Sequence, residues 1–383
     1  MKVLYVSSML DTATYKSLFV KDKKPMHAAN KFNTLLCEGF VQNGIKVTSY
    51  SALPVNRENC DRKWIRVKKK VLNGYVQKYP SFINFPILRH LKLFMAGFLK
   101  GVFSTRKTVV IYDALVVSLA YGAVLGAKLT GKKRVAIVTD FPEHLDSYPR
   151  RNKVFHKLLA KSNGYILLTE QMNGVVNPKN KPYVIVEGLV DKAMQDACHK
   201  PFNDNNKQVL YAGTLLKKYG IKNLCESFKK VCKDGEELHV YGDGDYVPEL
   251  LDLVKENKNI VYHGNKPNID VVIHELDSAL LVNPRPNEGE YTKYSFPSKT
   301  LEYMVSGTPV LSAKLDGISN EYDEYLYYFD SSDDNGLAVK LREILDKPVL
   351  ELESFGKKAK DFAVNYKNNQ AQAKKIVDFI SSL

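Results

Sequence analysis

The chain has few cysteines and histidines, the residues that form disulfides and most zinc sites. Its 383 residues include five cysteines, an odd number without a C-x-x-C pair, so a disulfide scaffold, a paired-cysteine zinc site and a redox dithiol are excluded. Reduced cytosolic thiols are expected. The eight histidines form no H-E-x-x-H pattern. Only His27, His144 and His263 are candidates for chemistry, and each is expected to be structural or solvent-facing.

Long apolar runs are also missing. The run Met1–Val6 is too short for a signal peptide and predicts a first buried strand. The longest nearly uncharged stretch, Val109–Ala127, contains Asp113 and divides into a strand-like half and a helix-like half. It is a poor candidate for a membrane span, and a cytoplasmic protein is expected.

Positive charge is present in excess, and it is concentrated in one half of the chain. Residues 1–200 hold 33 Lys and Arg against 13 Asp and Glu, whereas residues 201–383 hold 23 against 29. The two halves are therefore expected to meet different partners. We expect no nucleic-acid partner, because the basic half lacks a helix-turn-helix, zinc-finger or RNA-recognition signature and the acidic half would repel a phosphate backbone.

Apolar runs alternate with helix-length segments, which is typical of parallel α/β units. The predicted strands are Lys2–Val6, Lys46–Tyr50, Thr108–Tyr112, Arg134–Thr139, Gly164–Leu168, Tyr183–Val186, Gln208–Ala212, Glu237–Tyr241, Ile260–His263, Ser278–Val282 and Thr308–Ser312. Chain length favours two domains of roughly 180 residues. We predict two doubly wound, Rossmann-like domains, at residues 1–190 and 205–363, with a hinge near Glu187–Asp204.

The segment 62–107 mixes twelve cations with apolar and aromatic residues such as Trp64, Phe94 and Phe98. This composition suits an anionic membrane surface, since each Lys or Arg near the lipid contributes about 1 kcal/mol. The alternative is a set of ordinary surface helices whose apolar face packs on the core.

Two short motifs imitate known sites. Gly126–Lys133 nearly fits a phosphate-binding loop, but Lys133 replaces the magnesium-binding hydroxyl and the stretch precedes a strand instead of following one. Asp243-Gly244-Asp245 imitates a metal-binding D-x-D pair. Its position after an apolar strand instead predicts a strand-to-helix turn in which Gly permits a positive φ and Asp caps the next helix.

The most informative segment is Asn283–Val310, which we interpret as strand end, loop, helix and strand. Pro297 suits a first helical turn and Gly307 a C-terminal stop, so a helix of about ten residues begins beside Ser298 and Lys299. Unpaired N–H groups at a helix start favour phosphate.

Glu302 lies one turn further along the same predicted helix face, where its two oxygens suit the hydroxyls of a ribose. A buried Glu paired with a neighbouring Lys is the ordinary alternative. Gly213, after the first strand of the second domain, lets backbone approach a ligand, and Lys218 or Lys217 can neutralise a diphosphate. Together these positions indicate a nucleoside diphosphate site.

At these residues the sequence resembles a GT-B glycosyltransferase, specifically the large retaining family 4 that builds bacterial polysaccharides and glycolipids. The resemblance covers nearly the whole chain and includes Ala28–Asn33, Val138–Pro142, Leu168–Met172, the Gly213 loop and Pro297–Val310. It implies two Rossmann-like domains facing across a cleft. It also implies that residues 364–383 form a final helix that completes the first domain.

The resemblance implies roles for individual residues. In that family one Glu contacts the transferred sugar and another, eight positions later, binds the ribose. Glu302 matches the second, but Tyr294 occupies the first position, so we expect Glu290, or with less support Glu288, to take over the sugar contact.

A basic pair on the diphosphate is also implied by the resemblance. Lys218 matches one member, while Thr214 stands where an Arg is often found. Lys299 or Arg285 is expected to supply the missing charge. No metal is implied.

The resemblance implies that a UDP- or GDP-linked sugar donor binds the second domain and that a glycan or polyprenyl-linked acceptor binds the first. Asn30 and Asp140 are the acceptor-side candidates, and Asp140 has a helix cap as its ordinary role. The expected catalytic residues are Glu290, Asp140 and Lys218. A sugar-nucleotide 2-epimerase of the same fold is the alternative enzyme. The chain is expected on the inner face of the plasma membrane if segment 62–107 binds lipid.

Overall fold

The computed structural model describes residues 1–19, 27–145, 149–196 and 207–383, with side chains left undescribed at a few helix-end positions. The candidate side chains of His27 and His144, and residues 197–204 of the predicted linker, lie outside the described part. The chain divides into two compact units, Met1–Leu189 with Asn369–Leu383, and Val190–Asn368.

The first unit is built on a mostly parallel sheet whose strands are buried apolar runs. Its strands are β1 (Lys2–Ser7), β2 (Lys46–Ser51), β3 (Trp64–Ile65), β4 (Lys70–Leu72), β5 (Tyr75–Lys78), β6 (Phe82–Ile83), β7 (Thr108–Asp113), β8 (Arg134–Val138), β9 (Gly164–Leu167) and β10 (Tyr183–Ile185). The main sheet has the order β10-β9-β8-β7-β1-β2-β5-β4, and β3 pairs with β6 separately. All six strands predicted for this half are present.

Helices cover this sheet. They are α1 (Thr12–Leu18), α2 (His27–Gln42), α3 (Pro86–Phe103), α4 (Val117–Leu129), α5 (Pro142–Leu145), α6 (Pro149–Leu159) and α7 (Gln171–Val176). Segment 62–107, which we interpreted without strands, contributes β3 to β6 as well as α3. Its β4–β5 hairpin is antiparallel and turns at Asn73 and Gly74, whose φ angles are both positive.

The second unit repeats the plan with a wholly parallel sheet in the order β13-β12-β11-β14-β15-β16. Its strands are β11 (Gln208–Ala212), β12 (Glu237–Tyr241), β13 (Ile260–Tyr262), β14 (Leu280–Asn283), β15 (Val310–Ala313) and β16 (Tyr327–Phe329). Its helices are α8 (Ile221–Val231), α9 (Val247–Glu256), α10 (Asn268–Asp277), α11 (Glu290–Lys293), α12 (Ser298–Ser306), α13 (Gly336–Leu345) and α14 (Val349–Tyr366). Only β16 lacks a counterpart among the predicted strands.

The last helix, α15 (Asn369–Ser382), belongs to the first unit. Its residues Ala373, Ile376 and Ile380 join the core formed with α2 and the sheet. A Cβ at Gly39 of α2 would overlap the carbonyl of Asn369, so glycine permits the two helices to approach closely.

Among the described residues, every helix is too short or too polar to cross a bilayer.

Candidate functional site

The carboxyl ends of β11 and β14 lie side by side in the second unit. These two strands pair in parallel, with Val209 beside Leu280, and chain order along the sheet reverses between them. Open α/β sheets bind ligands at such a reversal, just beyond the carboxyl ends of the strands. Strand β11 leads into Gly213 and β14 leads into Arg285. The two loops that were predicted to bind the donor therefore lie next to each other at this point.

Helix α12 begins close to the same edge and is short and well bounded. Pro297 is its N-cap, and Gly307 ends it with a φ of 84°. The N–H of Thr300 donates to the carbonyl of Pro297 at 2.9 Å. The N–H groups of Ser298 and Lys299 are then the donors that the helix itself does not use. The start of α12 was therefore predicted correctly.

Two side chains that sequence reasoning missed fix this helix to the sheet. The buried hydroxyl of Tyr303 donates to the carbonyl of Ala212 at 3.0 Å and accepts the N–H of Ala212 at 2.9 Å. Burial raises the pKa of Tyr303 well above its ordinary value, so the hydroxyl stays protonated. In addition, Asn283 donates to Thr300 at 3.3 Å. The first turn of α12 is thus tied to the end of β14 and its second turn to the end of β11.

The loop after β11 is held by backbone contacts. The N–H of Gly213 donates to the carbonyl of Tyr241 at 3.1 Å, and the hydroxyl of Tyr211 donates to the carbonyl of Thr214 at 3.0 Å. A Cβ at Gly213 would lie 2.9 Å from that hydroxyl, so any larger residue would displace it. Thr214 itself is exposed.

The two neighbouring lysines of this loop differ in their partners. The ammonium of Lys217 forms an ion pair with Glu249, and its N–H donates to Asp245 at 2.9 Å. Lys218 is exposed, and its Nζ lies 5.4 Å from the centroid of the Tyr219 ring. Of the two, Lys218 is the cation whose charge is not already neutralised by a carboxylate in the described structure.

Arg285 lies between two aromatic rings. Its Cζ is 5.4 Å from the centroid of Tyr219 and 4.7 Å from that of Tyr291. Its Nε is buried and has no hydrogen-bond partner within the described ranges. Lys218 and Arg285 therefore both lie near the ring of Tyr219. Neither cation has a carboxylate partner in the part of the chain that the structure describes.

A glycine allows these loops to meet. Gly220 follows Tyr219 with a φ of 80°, and a Cβ on it would overlap the carbonyl oxygen of Pro284. The backbone before Arg285 is thus in direct contact with the turn that carries Lys218, which holds the two cations on one side of the sheet edge.

Glu302 lies one turn into α12 and forms an ion pair with Lys299, with Nζ and Oε2 3.4 Å apart. Both side chains reach solvent, with 24% of Glu302 and 36% of Lys299 exposed. The ion pair expected under the ordinary alternative, in which Glu302 only pairs with a neighbouring Lys, is therefore formed. Glu302 is not fully buried, however, as that alternative required.

The sugar-side candidates lie in the segment between Arg285 and α12. Glu288 and Glu290 are exposed, and Glu290 begins α11 directly after Gly289, whose φ is 86°. Tyr294 is the C-cap of α11. Since Tyr291 of the same short helix contacts Arg285, this segment is joined to the cationic loops.

Asn30 and Asp140 belong to the first unit. Asp140 follows β8, and its Oδ1 accepts the N–H of Phe141 at 2.8 Å, directly before α5. Asn30, on α2, accepts the N–H of Leu10 at 2.8 Å in the loop after β1. Strands β8 and β1 are parallel members of one sheet, separated by β7, so both residues lie at its carboxyl edge.

The imitating motifs have other structural roles. Asp243 and Asp245 lie in the expected strand-to-helix turn, and Gly242 has a φ of 133°. The expected Asp cap is wrong, because the N-cap of α9 is Tyr246 and Asp245 instead accepts the N–H of Lys217. In the loop-like Gly126–Lys133 stretch, Lys132 donates to the carbonyl of Gly101 at 3.0 Å and so satisfies the end of α3.

His263 packs in a column of rings. It stacks on Tyr241 at 4.3 Å and shares a 2.9 Å hydrogen bond with His239, which also contacts Glu237. Burial, together with the neighbouring His239 and His274, lowers the pKa of His263 to about 4.

Comparisons with known proteins bear on the family and the fold of the chain. Residues 196–362, less than half of the chain, match the family described as Glycosyl transferases group 1. A comparison with curated protein sequences gives no match.

Solved structures match the whole chain in fold. Sucrose-phosphate synthase from Thermosynechococcus elongatus is 12% identical, with a TM-score of 0.70 over 100% of this chain and 99% of that chain. The lipopolysaccharide outer core galactosyltransferase WaaB is 14% identical, with a TM-score of 0.65 over 100% and 99%. Anabaena Alr3699/HepE in complex with UDP is 13% identical, with a TM-score of 0.66 over 100% of both chains. The predicted GT-B fold is therefore confirmed, and the comparisons support a glycosyltransferase.

Proposed function

We propose that this protein is a retaining glycosyltransferase of the family 4 type. It moves a sugar from a nucleoside diphosphate donor to a glycan or polyprenyl-linked glycan in the synthesis of a cell-surface polysaccharide. The observation that carries the proposal is the arrangement at the reversal point of the second sheet, where Lys218 and Arg285 flank Tyr219 and α12 is fixed by Tyr303.

The diphosphate is bound by these cations and by the start of α12. Arg285 supplies the charge that Thr214 does not, and its planar guanidinium can donate to two phosphate oxygens at once. The rings of Tyr219 and Tyr291 restrict its orientation, and its buried Nε has a donor left to satisfy. The N–H groups of Ser298 and Lys299 add donors at the positive end of a helix.

Glu302 binds the ribose hydroxyls one turn further along. Its ion pair with Lys299 orders the carboxylate and leaves the ammonium between the positions proposed for ribose and diphosphate. Gly213 gives the donor a close backbone approach on the opposite side. Glu290 contacts the transferred sugar, and Tyr294 lines the same segment.

Transfer breaks the bond between the anomeric carbon and the diphosphate oxygen and forms a bond from that carbon to an acceptor hydroxyl oxygen. The hydroxyl proton passes to the departing diphosphate, so no protein nucleophile is needed. Charge accumulates on the diphosphate as the bond breaks, and the fixed donors stabilise that charge more than they stabilise the bound donor. Asn30 and Asp140 orient the acceptor.

The proposal includes no metal, because the resemblance implies none. Oδ1 of Asp243 accepts the N–H of Gly244 and Oδ1 of Asp245 accepts that of Lys217, which gives both residues a role in the turn. A UDP-linked donor is favoured over a GDP-linked one, since Alr3699/HepE was solved with UDP and also with UDP-glucose. We place the protein in the cytoplasm, peripheral to the inner face of the plasma membrane.

The test is a thermal-shift screen of UDP, GDP and ADP with their sugars on the full chain and on Arg285→Gln. A ligand at a hundred times its dissociation constant stabilises by about 2.7 kcal/mol, so melting should rise for one nucleotide family and less for the variant. No shift with any nucleotide would refute the donor site.

Product analysis separates the enzyme classes. Donor incubated alone should be hydrolysed slowly, whereas conversion into an epimeric sugar nucleotide would establish the 2-epimerase instead. With an acceptor, the anomeric proton coupling of the product should match that of the donor, and inversion would overturn the retaining assignment.

A further inference from the structure

Helix α3 turns two glycines and Leu93 toward the protein and leaves most of its large apolar residues exposed to solvent. On the protein side, a Cβ at Gly97 or Gly101 would overlap the backbone of α4, and a Cβ at Gly122 or Gly126 of α4 would overlap the backbone of α3. The two helices therefore touch backbone to backbone. A surface helix normally turns its large apolar residues toward the core, so this arrangement needs another explanation.

The opposite face of α3 is a continuous apolar surface. Its side chains and exposed fractions are Ile87 at 75%, Leu88 at 43%, Leu91 at 56%, Met95 at 43%, Leu99 at 48% and Phe103 at 80%. From Leu88 onward these positions recur every three or four residues, and with Ile87 they extend along about 24 Å of helix, so they share one side. The exposed area is on the order of 600 Å², at the upper end of what monomeric proteins leave uncovered.

The segment of chain that contains α3 carries charge of one sign. Residues 62–112 contain twelve Lys and Arg and no Asp or Glu. Lys92 is exposed among the apolar residues of α3. Lys63 lies beside the start of the helix, because its carbonyl accepts the N–H of Asn84, and the next residue, Trp64, is 57% exposed.

We propose that the face of α3 formed by Ile87, Leu88, Leu91, Met95, Leu99 and Phe103, with Trp64, binds an anionic lipid bilayer. The helix lies in the plane of the membrane surface, its apolar side chains enter the acyl boundary, and the surrounding cations meet the lipid headgroups. A second copy of the chain fits less well, since it would bring two surfaces of the same positive charge together. Lipid binding by α3 does not depend on the proposed donor site. The membrane would bring a lipid-linked acceptor to the enzyme only if the proposed function is also correct.

The experiment measures co-sedimentation of the full chain with vesicles of phosphatidylcholine alone and of phosphatidylcholine mixed equally with phosphatidylglycerol. The test variant is Ile87→Glu with Leu91→Glu. Its matched control is Ile269→Glu with Leu350→Glu, because these apolar residues of the second unit are exposed to 74% and 79%. A charge variant, Lys63→Gln with Lys92→Gln, is paired with Lys229→Gln with Lys258→Gln, which are also exposed lysines.

Binding to mixed vesicles should exceed binding to phosphatidylcholine at least tenfold and should weaken as salt rises. The α3 variant should lose at least tenfold of that binding, the Lys63 and Lys92 variant severalfold, and both controls should bind like the parent chain. Melting temperatures of all variants should stay close to that of the parent, because the altered side chains are exposed.

Equal vesicle binding by the α3 variant and its control would overturn the proposal. A second outcome would also overturn it. If the parent chain binds no vesicles but self-associates in sedimentation velocity, and only the α3 variant abolishes that self-association, the face belongs to a second copy of the chain. Glu302→Gln should retain vesicle binding in full. Loss of lipid binding and loss of nucleotide binding can therefore be told apart.

Discussion

The clearest test of the donor site is the replacement Glu302→Gln. The side chain keeps its size, but its charge and one acceptor oxygen are lost. If Glu302 only forms an ion pair with Lys299, the change should affect little besides that contact. If it accepts hydrogen bonds from ribose hydroxyls, nucleotide affinity should fall sharply.

The two outcomes differ in magnitude. A hydrogen bond to a charged group contributes about 1.5–3 kcal/mol, so nucleotide affinity should fall roughly ten- to a hundredfold. A partly exposed pair of residues three apart on a helix contributes about 0.3–0.5 kcal/mol, so losing the contact with Lys299 should lower the free energy of unfolding by about that amount. Loss of binding with only this small loss of stability is the expected signature.

The measurement is calorimetric titration with the nucleotide identified in the thermal-shift screen, together with urea unfolding. Glu343→Gln is a matched control, because Lys340 and Glu343 form an ion pair with the same order and spacing on α13. Sugar transfer should fall in parallel with affinity. Equal nucleotide affinity of Glu302→Gln, Glu343→Gln and the parent chain would refute the assignment of α12 to the donor.

Three further predictions concern the same unit. Arg285→Lys keeps the charge but loses the planar fork, so the affinity advantage of a nucleoside diphosphate over its monophosphate should shrink about tenfold in calorimetry; an unchanged ratio would exclude Arg285 from the diphosphate. Gly220→Ala should lower the free energy of unfolding by about 1–3 kcal/mol and weaken nucleotide binding, whereas Gly44→Ala, with a φ of 72° and open space around it, should cost less and leave binding intact. His263 has a folded-state pKa of about 4 against an ordinary 6.5, so the unfolded chain takes up its proton first as pH falls. The free energy of unfolding should therefore fall by about 1 kcal/mol as the pH drops from 6.5 to 4, after allowance for the partial exposure of His263. In urea titrations at pH 7 and pH 5, His263→Gln should remove this pH-dependent loss of stability.

The sheets were predictable because buried parallel strands are nearly continuous apolar runs. Residues such as Val109–Tyr112 and Leu280–Val282 leave little choice of structure. The short strand β16 was missed because Tyr327–Phe329 lacks the Val and Ile that marked β10 and β13, which are equally short edge strands. The β4–β5 hairpin was missed although Asn73-Gly74 is a strong signal for a two-residue turn, because the cations of segment 62–107 drew the interpretation toward helices.

The start of α12 was also predictable, because Pro297 and Gly307 mark helix ends locally. The tyrosines were not. Tyr219, Tyr291 and Tyr303 come from three separate segments, and only the order of the strands brings them to one edge. A tyrosine that joins a helix to a strand through both backbone groups of Ala212 has no signature in sequence.

The two proposals differ in where their residues lie. Every group assigned to the diphosphate and ribose belongs to Val190–Asn368, whereas the proposed lipid face belongs to Met1–Leu189. Substitutions without shared partners usually add in free energy. Nucleotide affinity in a chain that combines Ile87→Glu and Leu91→Glu with Glu302→Gln should then equal that of Glu302→Gln alone. A measured departure would mean that lipid-facing residues alter the donor site, and the two functions could no longer be treated as independent properties of separate units.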